Sequence, residues 1–285
     1  MTSSLPPSKA PTVLTSILGN SDRFICPACA ASLRTRLDHT RMECTGCARA
    51  FPVDNGIPML FWPTEWTSKV DVTELVRSFY EQTPFPNYDD LDSPESLRLQ
   101  AERGVFARLL TDQIPYGSRI LECGCGTGQL SNFLALTWGR SVFATDICLN
   151  SLRLAHAFKQ RFEISNVTFL QMNLFRPVFK PDTFDFIISN GVLHHTSDPF
   201  LGFQTLVKCL KPGGFILVGL YNTYGRLTTD LRRAIFRLTG ESLHLPGPSA
   251  QSQGVDRREK AGMVPGSVQA PSRIEAFDRR SAEVV

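Results

Sequence analysis

The nine residues Ile120–Gly128, ILECGCGTG, constrain this chain more than any other stretch. A short apolar run ends in an acid, Glu122, then turns through Gly124, Gly126 and Gly128 before Gln129-Leu130-Ser131 opens a helix. Glycines at alternate positions let a backbone turn tightly and approach a ligand without interference from Cβ. The turn also delivers backbone N–H groups to a helix N-terminus, where a nucleotide-type ligand is favoured. A strand, a glycine turn and a helix in that order predict a unit of an α/β sheet.

The flanking pattern extends the unit. Apolar periodicity predicts a helix over 97–110, a strand over 118–123, a helix over 129–138 and a strand over 141–145 that ends in Asp146. A helix over 149–162, strands over 167–171 and 184–189, and a helix over 199–210 follow. Lys211-Pro212-Gly213-Gly214 predicts a stop, after which come a strand over 215–220 and a basic amphipathic helix over 227–238. Alternating strands and helices imply a parallel sheet with helices on both faces. Upstream, a connector at 62–95 carries one expected helix around 74–81. The stretch Thr83-Pro84-Phe85-Pro86-Asn87-Tyr88 must be extended, because its prolines and the residues before them resist helix.

In these residues the chain resembles class I S-adenosylmethionine-dependent methyltransferases, whose first motif is E/D-x-G-x-G-x-G. The dinucleotide fingerprint G-x-G-x-x-G differs in its last spacing. The resemblance covers residues 96–240. It implies a Rossmann-like sheet and S-adenosylmethionine as methyl donor, with Glu122 facing the donor's amino-acid end and Gly124, Gly126 and Gly128 passing beneath it. Asp146 would receive the ribose hydroxyls. Met172 and Asn173 would flank adenine, with Asn173 in place of the commoner acid and offering a carbonyl acceptor. Asn190, the last of the expected donor-binding residues, opens the segment NGVLHH at the mouth of the sheet. There His194 and His195 stand where an acceptor would approach, His195 being the preferred candidate. Either acts as a base or polarises an oxygen, or one caps the following segment and the other packs over the donor. The fourth strand is followed neither by N/D-P-P-Y nor by Pro-Cys, which argues against amino-group methylation of adenine and against a covalent route to cytosine C5. Tyr80, Phe85, Tyr88, Tyr221 and Asn222 are candidates for an acceptor pocket. A small-molecule acceptor is the expectation. An RNA methyltransferase, or a binding protein whose donor domain is not catalytic, are the alternatives.

Cys26-Pro27-Ala28-Cys29 and Cys44-Thr45-Gly46-Cys47 are two C-x-x-C knuckles separated by fourteen residues. Four thiolates on two tight turns match the tetrahedral zinc of a zinc ribbon, with rubredoxin-like iron or disulfides as alternatives. A closed four-cysteine site is structural, and in so small a module the metal supplies much of the folding energy. The module, expected over 23–61, ends in FPVDNGIPML, which resembles zinc-ribbon modules that partner or precede methyltransferases. It could dock a protein partner. Its five arginines, Arg23, Arg34, Arg36, Arg41 and Arg49, raise RNA contact, but Asp38, Glu43 and Asp54 oppose them.

The formal charge of +3 is too small to argue for nucleic acid by itself. No apolar run is long enough to span a membrane, and the first residues lack the pattern of a signal peptide. The expectation is therefore a cytoplasmic protein without a membrane partner. Residues 1–22, rich in Ser and Pro, read as a flexible arm. From 241 to 285 the order is lost. Residues 219–233 resemble an uncharacterised bacterial methyltransferase family whose members continue with R-E-K-A-W-F-x-D-Q-Y-x-H-P. This chain has Arg258-Glu259-Lys260-Ala261 and then departs. Read one base later, permitted codons for the residues from Met263 onward restore that string. We therefore expect a frameshifted tail and a domain without its closing strands beyond the fifth.

Overall fold

The computed structural model describes residues 24–239 apart from Ser68 and Asp90. The expected arm and the expected frameshifted tail lie outside the described residues. Two units are present, one running to Leu220 and one beginning at Tyr221.

The first unit holds two sheets. Strands β1 (Leu33–Thr35), β2 (Arg41–Cys44), β3 (Ala50–Asp54) and β4 (Ile57–Pro58) form an antiparallel meander in sequence order. Three helices follow: α1 (Thr73–Gln82), α2 (Pro94–Arg103) and α3 (Val105–Gln113). The predicted helix over 97–110 is thus two helices. Gly104 takes an extended backbone between them, with φ −88° and ψ 129°, and stops the first while starting the second. Ser93 caps α2 by accepting from Ser96 N, and Pro94 stands in its first turn.

The second sheet contains β5 (Arg119–Cys123), β6 (Ser141–Asp146), β7 (Val167–Gln171), β8 (Phe184–Asn190) and β9 (Leu210–Gly219). All its pairings are parallel, in the order β7-β6-β5-β8-β9. Helices α4 (Gln129–Ala135), α5 (Leu149–Arg161) and α6 (Pro199–Val207) alternate with the strands. The predicted stop at 211–214 is a bulge inside β9. Pairing with β8 begins at Leu210, shifts between Phe184 and Phe186, and resumes at Phe215. Among the described residues the sheet ends at β9.

Side chains along each strand alternate between two cores, as a pleated strand requires. Ile120, Val142, Ala144, Phe169 and Ile188 face a cluster with Leu97, Leu110, Phe133, Leu152 and Phe158 from α2 to α5. Leu121, Phe143, Leu170 and Ile187 face the other cluster, which contains Leu206 of α6 together with Phe24, Met42, Phe51 and Leu60 of the cysteine module. The module therefore does not fold around a core of its own. Met59 pairs parallel with Gln171 at the end of β7, and Leu60 N donates to Gln171 O at 3.0 Å. Phe24 pairs antiparallel with Phe179, and Ile25 N donates to Val178 O at 2.8 Å. One face of the parallel sheet is covered by helices, the other by α6 and the module.

The second unit contains α7 (Thr223–Thr239), at whose start Asn222 Oδ1 accepts from Tyr224 N and Gly225 N. The Arg226 guanidinium lies 4.5 Å over the Tyr221 ring. No helix among the described residues is long and apolar enough to cross a membrane.

Candidate functional site

The C-terminal ends of β5 and β6 lie side by side, because Glu122 pairs with Ala144 and Cys123 with Thr145. The glycine turn leaves β5 at this point. Gly128 has φ 71°, and a Cβ there would stand 2.6 Å from the Phe169 ring and 2.7 Å from Ala155. Gly126 has φ 52°, and a Cβ there would lie 2.6 Å from Phe85 O. Only glycine tolerates both the backbone and the space at these positions.

Two carboxylates flank the turn. Asp146, at the end of β6, accepts from Gly126 N at 2.8 Å through Oδ2 and from Cys148 N at 2.9 Å through Oδ1. These bonds fix the carboxylate at the mouth of the sheet. Burial nevertheless raises its pKa, and the neighbouring Glu81 charge adds to the rise. Glu122 is buried and accepts from the Ser131 hydroxyl. Burial pushes its pKa up to about 8, with Asp146 contributing. Cys123 and Cys125 are buried fillers beside them.

The Asn173 carbonyl accepts from Phe175 N at 3.1 Å, and its amide donates to Trp62 O at 2.9 Å and Thr64 Oγ1 at 3.1 Å. The side chain is buried and ties the connector to the end of β7, with a second carbonyl lone pair beside the bond from Phe175 N. Met172 is buried in the core that the cysteine module shares, and Asn190 is exposed at the end of β8. His194 and His195 follow on a short 3-10 turn, with their Nε2 atoms 3.1 Å apart. The helix after them is capped by neither histidine. Asp198 Oδ1 accepts from Leu201 N at 3.0 Å and does that work.

The acceptor-pocket candidates separate. Tyr88 stacks on Phe158 at 4.8 Å, and its hydroxyl donates to Thr127 O at 2.8 Å, so it belongs to the glycine turn. Phe85 is 71% exposed. Tyr80 packs edge-on against Phe79. Tyr221 and Asn222 belong to the second unit. The sequence reading gave no part in this site to Ser131, or to the Glu81 carboxylate, which accepts from Leu149 N at 2.7 Å and Asn150 N at 3.1 Å. Ser131 follows the glycine motif on the first turn of α4, which is a local signal. Glu81 lies 68 residues from its partner and leaves none.

The sulfurs of Cys26, Cys29, Cys44 and Cys47 all lie within 4.8 Å of one another. The pairs Cys26–Cys47 and Cys29–Cys44 stand 3.8 and 3.4 Å apart. Those separations are too long for a disulfide bond. Four thiolates on one tetrahedral zinc stand about 3.8 Å apart, so the donor set fits that metal. The two knuckles also share a shape. The residues after their second cysteines, Ala30 and Ala48, have φ 62° and 55°. Gly46 N and Cys47 N point at Cys44 Sγ at 3.3 and 3.4 Å, which favours a thiolate there.

Residues 121–218, from Leu121 in β5 to Val218 in β9, match the family model described as a methyltransferase domain. An uncharacterized protein of Synechococcus sp. is 32% identical over 176 residues, which are 60% of this chain and 42% of that protein. The malonyl-[acyl-carrier protein] O-methyltransferase of Paenibacillus sp. is 31% identical over 173 residues, 56% of this chain and 59% of that enzyme. A solved SAM dependent methyltransferase from Aquifex aeolicus is 21% identical, with 50% of this chain and 71% of that one covered at a TM-score of 0.37. The chain spans about half the length of the curated relatives it matches. Residues 121–218 of this chain are thus similar in sequence to a methyltransferase domain.

Proposed function

We propose that the chain transfers the methyl group of S-adenosylmethionine to a small-molecule acceptor, and that the four-cysteine cluster holds a structural zinc ion. The observation that carries this reading is the convergence of Glu122, the glycine turn and Asp146 at the ends of two adjacent parallel strands. Bound there, S-adenosylmethionine supplies an electrophilic methyl carbon on a cationic sulfur. The chain's residues do the positioning. Gly124, Gly126 and Gly128 let the turn pack closely against Val192, Phe85 and Phe169 beneath the donor, and Asp146 keeps lone pairs for ribose hydroxyls beside its two backbone bonds. Met172 supports the adenine side from within the core, and Asn190 at the exposed end of β8 completes the donor-binding set.

Glu122 is protonated near neutral pH while burial dominates, and a cationic amine beside it returns it to the carboxylate. Donor binding then releases a proton below about pH 8, so affinity rises as pH rises towards that value. Glu122→Gln removes this dependence. The close pair of imidazoles shares a hydrogen bond, which makes one ring a donor and the other an acceptor. His195 takes the acceptor's proton where the acceptor must lose one, and His194 orients it.

The ribbon's charges favour a small acceptor over RNA. Arg36 and Arg41 pair with Asp38 and Glu43, and Arg49 lies over Trp62. Such a self-neutralised face gives little phosphate attraction. The test combines equilibrium binding of S-adenosylmethionine with labelled methyl transfer into cell extract, fractionated into RNA, protein, lipid and small molecules. Binding that is weakened by Asp146→Ala, with label in the small-molecule fraction, supports the reading. Label in RNA overturns the acceptor class, and a chain that binds no donor overturns the activity. In the active protein, His195→Gln lowers kcat by about a hundredfold if His195 is the base.

A further inference from the structure

The connector between the cysteine module and the parallel sheet does more than link them. Helix α1 has no buried residue, so no core packing holds it in place. Near its start, Val72 N donates to Ser197 Oγ at 3.2 Å, and Lys69 pairs with Asp198 at 2.6 Å. At its other end the chain crosses the glycine turn. Glu81 receives Leu149 N and Asn150 N on its two carboxylate oxygens, and Asn150 Nδ2 donates to Glu81 O at 2.9 Å. Phe85 O lies against Gly126, where a Cβ would have to displace it. Thr127 Oγ1 donates to Pro86 O, and Gln129 Nε2 donates to Asn87 O. Tyr88 completes the crossing by donating to Thr127 O and accepting from Asn132 Nδ2 at 2.9 Å.

The two ends of this crossing differ. Tyr88 is stacked on Phe158, and burial pushes its hydroxyl pKa well up, so it is a fixed anchor. Glu81 is half-buried and reaches the first turn of α5, three residues beyond Asp146. Its carboxylate there complements the positive end of the helix. Between the two ends the Phe85 side chain is largely exposed and adds no apolar hold. An element with one anchor packed against the core, one water-accessible polar clasp and no apolar hold between them opens at the clasp.

We infer that Glu81–Tyr88 is a strap over the donor site, with Tyr88 as its anchor and Glu81 as the clasp that retains S-adenosylmethionine. The inference rests on the proposed donor site at the glycine turn. Glu81 and Tyr88 are positioning residues. They act by holding Phe85 and Pro86 against Gly126 and Thr127, so that a donor lying on the turn cannot leave without the clasp opening. The Glu81 carboxylate also stands near enough to Asp146 to raise its pKa, so the clasp and the ribose-binding acid are coupled electrostatically.

Two measurements on the full chain test this. In the first, without donor, amide exchange is followed at Thr83, Phe85, Asn87 and Tyr88, the residues of 83–88 that carry an amide proton, in the wild type, Glu81→Ala and Glu81→Gln. Glu81→Ala speeds exchange there about tenfold, as expected from losing a charge-assisted hydrogen bond, while exchange in β5 and β6 is unchanged. Glu81→Gln, which keeps one acceptor, gives an intermediate rate. In the second, dissociation of S-adenosylmethionine is timed by displacement with unlabelled donor. Glu81→Ala raises the dissociation rate and the donor KM about tenfold, with kcat and acceptor KM kept within about twofold. Tyr88→Phe preserves the stacking but loses both hydroxyl bonds, and also speeds release. Unchanged exchange over 83–88 in Glu81→Ala overturns the strap, whatever the protein binds. Faster exchange with an unchanged dissociation rate overturns its role in retention. A wild-type chain that binds no S-adenosylmethionine fails the proposed donor site instead, and the exchange measurement still decides whether Glu81 clasps the strap.

Discussion

At the β7 edge of the parallel sheet, Met59 runs alongside Gln171 and Leu60 N donates to Gln171 O, while Phe24 packs at 5.6 Å from Phe179 and 6.2 Å from Phe143. At the β9 edge no further strand follows among the described residues, and Phe215 stands 70% exposed. An open edge presents unpaired backbone groups and invites pairing with another chain. The molecule treats its two edges differently. The cysteine module covers the first with a strand bridge, a phenylalanine cluster and a shared core. Among the described residues of the first unit, the second has local protection: Pro212 in the bulge, and Lys211 paired to Asp185 at 2.6 Å. The contrast teaches that the module is one wall of the parallel-sheet domain as well as the proposed metal site, so its loss should reach the proposed donor site through Leu60, Gln171 and Asn173.

The largest effect should come from the metal. Structural zinc in small sites carries on the order of 10 kcal/mol of binding free energy that is also folding free energy. Chelation, or Cys44→Ser, should lower the thermal midpoint of the whole domain by more than roughly 10 °C, because the exposed face of the sheet loses its cover. Calorimetry with far-ultraviolet dichroism should show one transition moving. A methyltransferase transition left in place while a small one disappears would break the comparison, since the module would then be a separate body.

Next comes a direct comparison of the two edges. Phe24→Ala empties a fully buried site, and urea unfolding should show a loss of about 3–5 kcal/mol. Phe215→Ala removes a similar ring from the open edge and should cost less than about 0.5 kcal/mol. It should also reduce concentration-dependent association, read by light scattering. Equal losses at the two positions would mean that β9 is covered after all.

The sequence made some of this legible and hid the rest for physical reasons. Strands β5 to β8 and helices α4 to α6 carry local periodicity and caps, and each was readable to within a few residues. The cysteine knuckles were readable because their spacing is local. The single parallel bridge at Met59 was not, since an edge contact between distant segments leaves no periodic trace. The hold of Asn173 on Trp62 and Thr64 was not legible, because these partners are more than a hundred residues away. The apolar spacing over 97–110 looked like one helix, yet Gly104 separates two, a local break whose N–H bonds Ala101 O. Lys211–Gly214 looked like a full stop, but the register shift beside Phe184 lets β9 start ahead of it. The last of these was decided by pairing between distant segments.

A third prediction tests the seam by pH. His156 is buried on α5 and edge-on to Phe169. Burial first, then the Lys159 charge, hold its pKa down at about 4, against weaker opposing pulls from the Asn55 backbone and Asp54. Unfolded histidine titrates near 6.5, so between 6.5 and 4 the unfolded chain binds the extra proton. The group's contribution is complete above pH 6.5 and is lost as pH falls towards 4, by about 3 kcal/mol at ~1.4 kcal/mol per unit. Urea midpoints of the wild type and His156→Leu should diverge across that window, the wild type falling more steeply. Parallel curves would remove His156 from the seam.

The smallest expected effect is at the rim of the same seam. Arg153 Nε meets Asp54 Oδ2 at 2.7 Å, joining α5 to the end of β3, but the Arg153 side chain is 51% exposed. Exposed pairs of this kind are worth less than about 1 kcal/mol and weaken in salt. Asp54→Ala at pH 7.5 should therefore change the urea midpoint by no more than roughly 0.5 kcal/mol, and the change should shrink at high salt. Its effect should grow below pH 6.5, because Asp54 is one of the two groups that favour protonated His156. Removing it holds the imidazole neutral to lower pH in the folded state and steepens the acid loss. Combining Asp54→Ala with His156→Leu separates the two contributions: the pH-dependent part of the Asp54→Ala effect should vanish when His156 is absent, while the small pH-independent part from Arg153 remains. Persistence of the pH-dependent part without His156 would place its source elsewhere, and the coupling across this seam would then rest on backbone pairing and apolar packing alone.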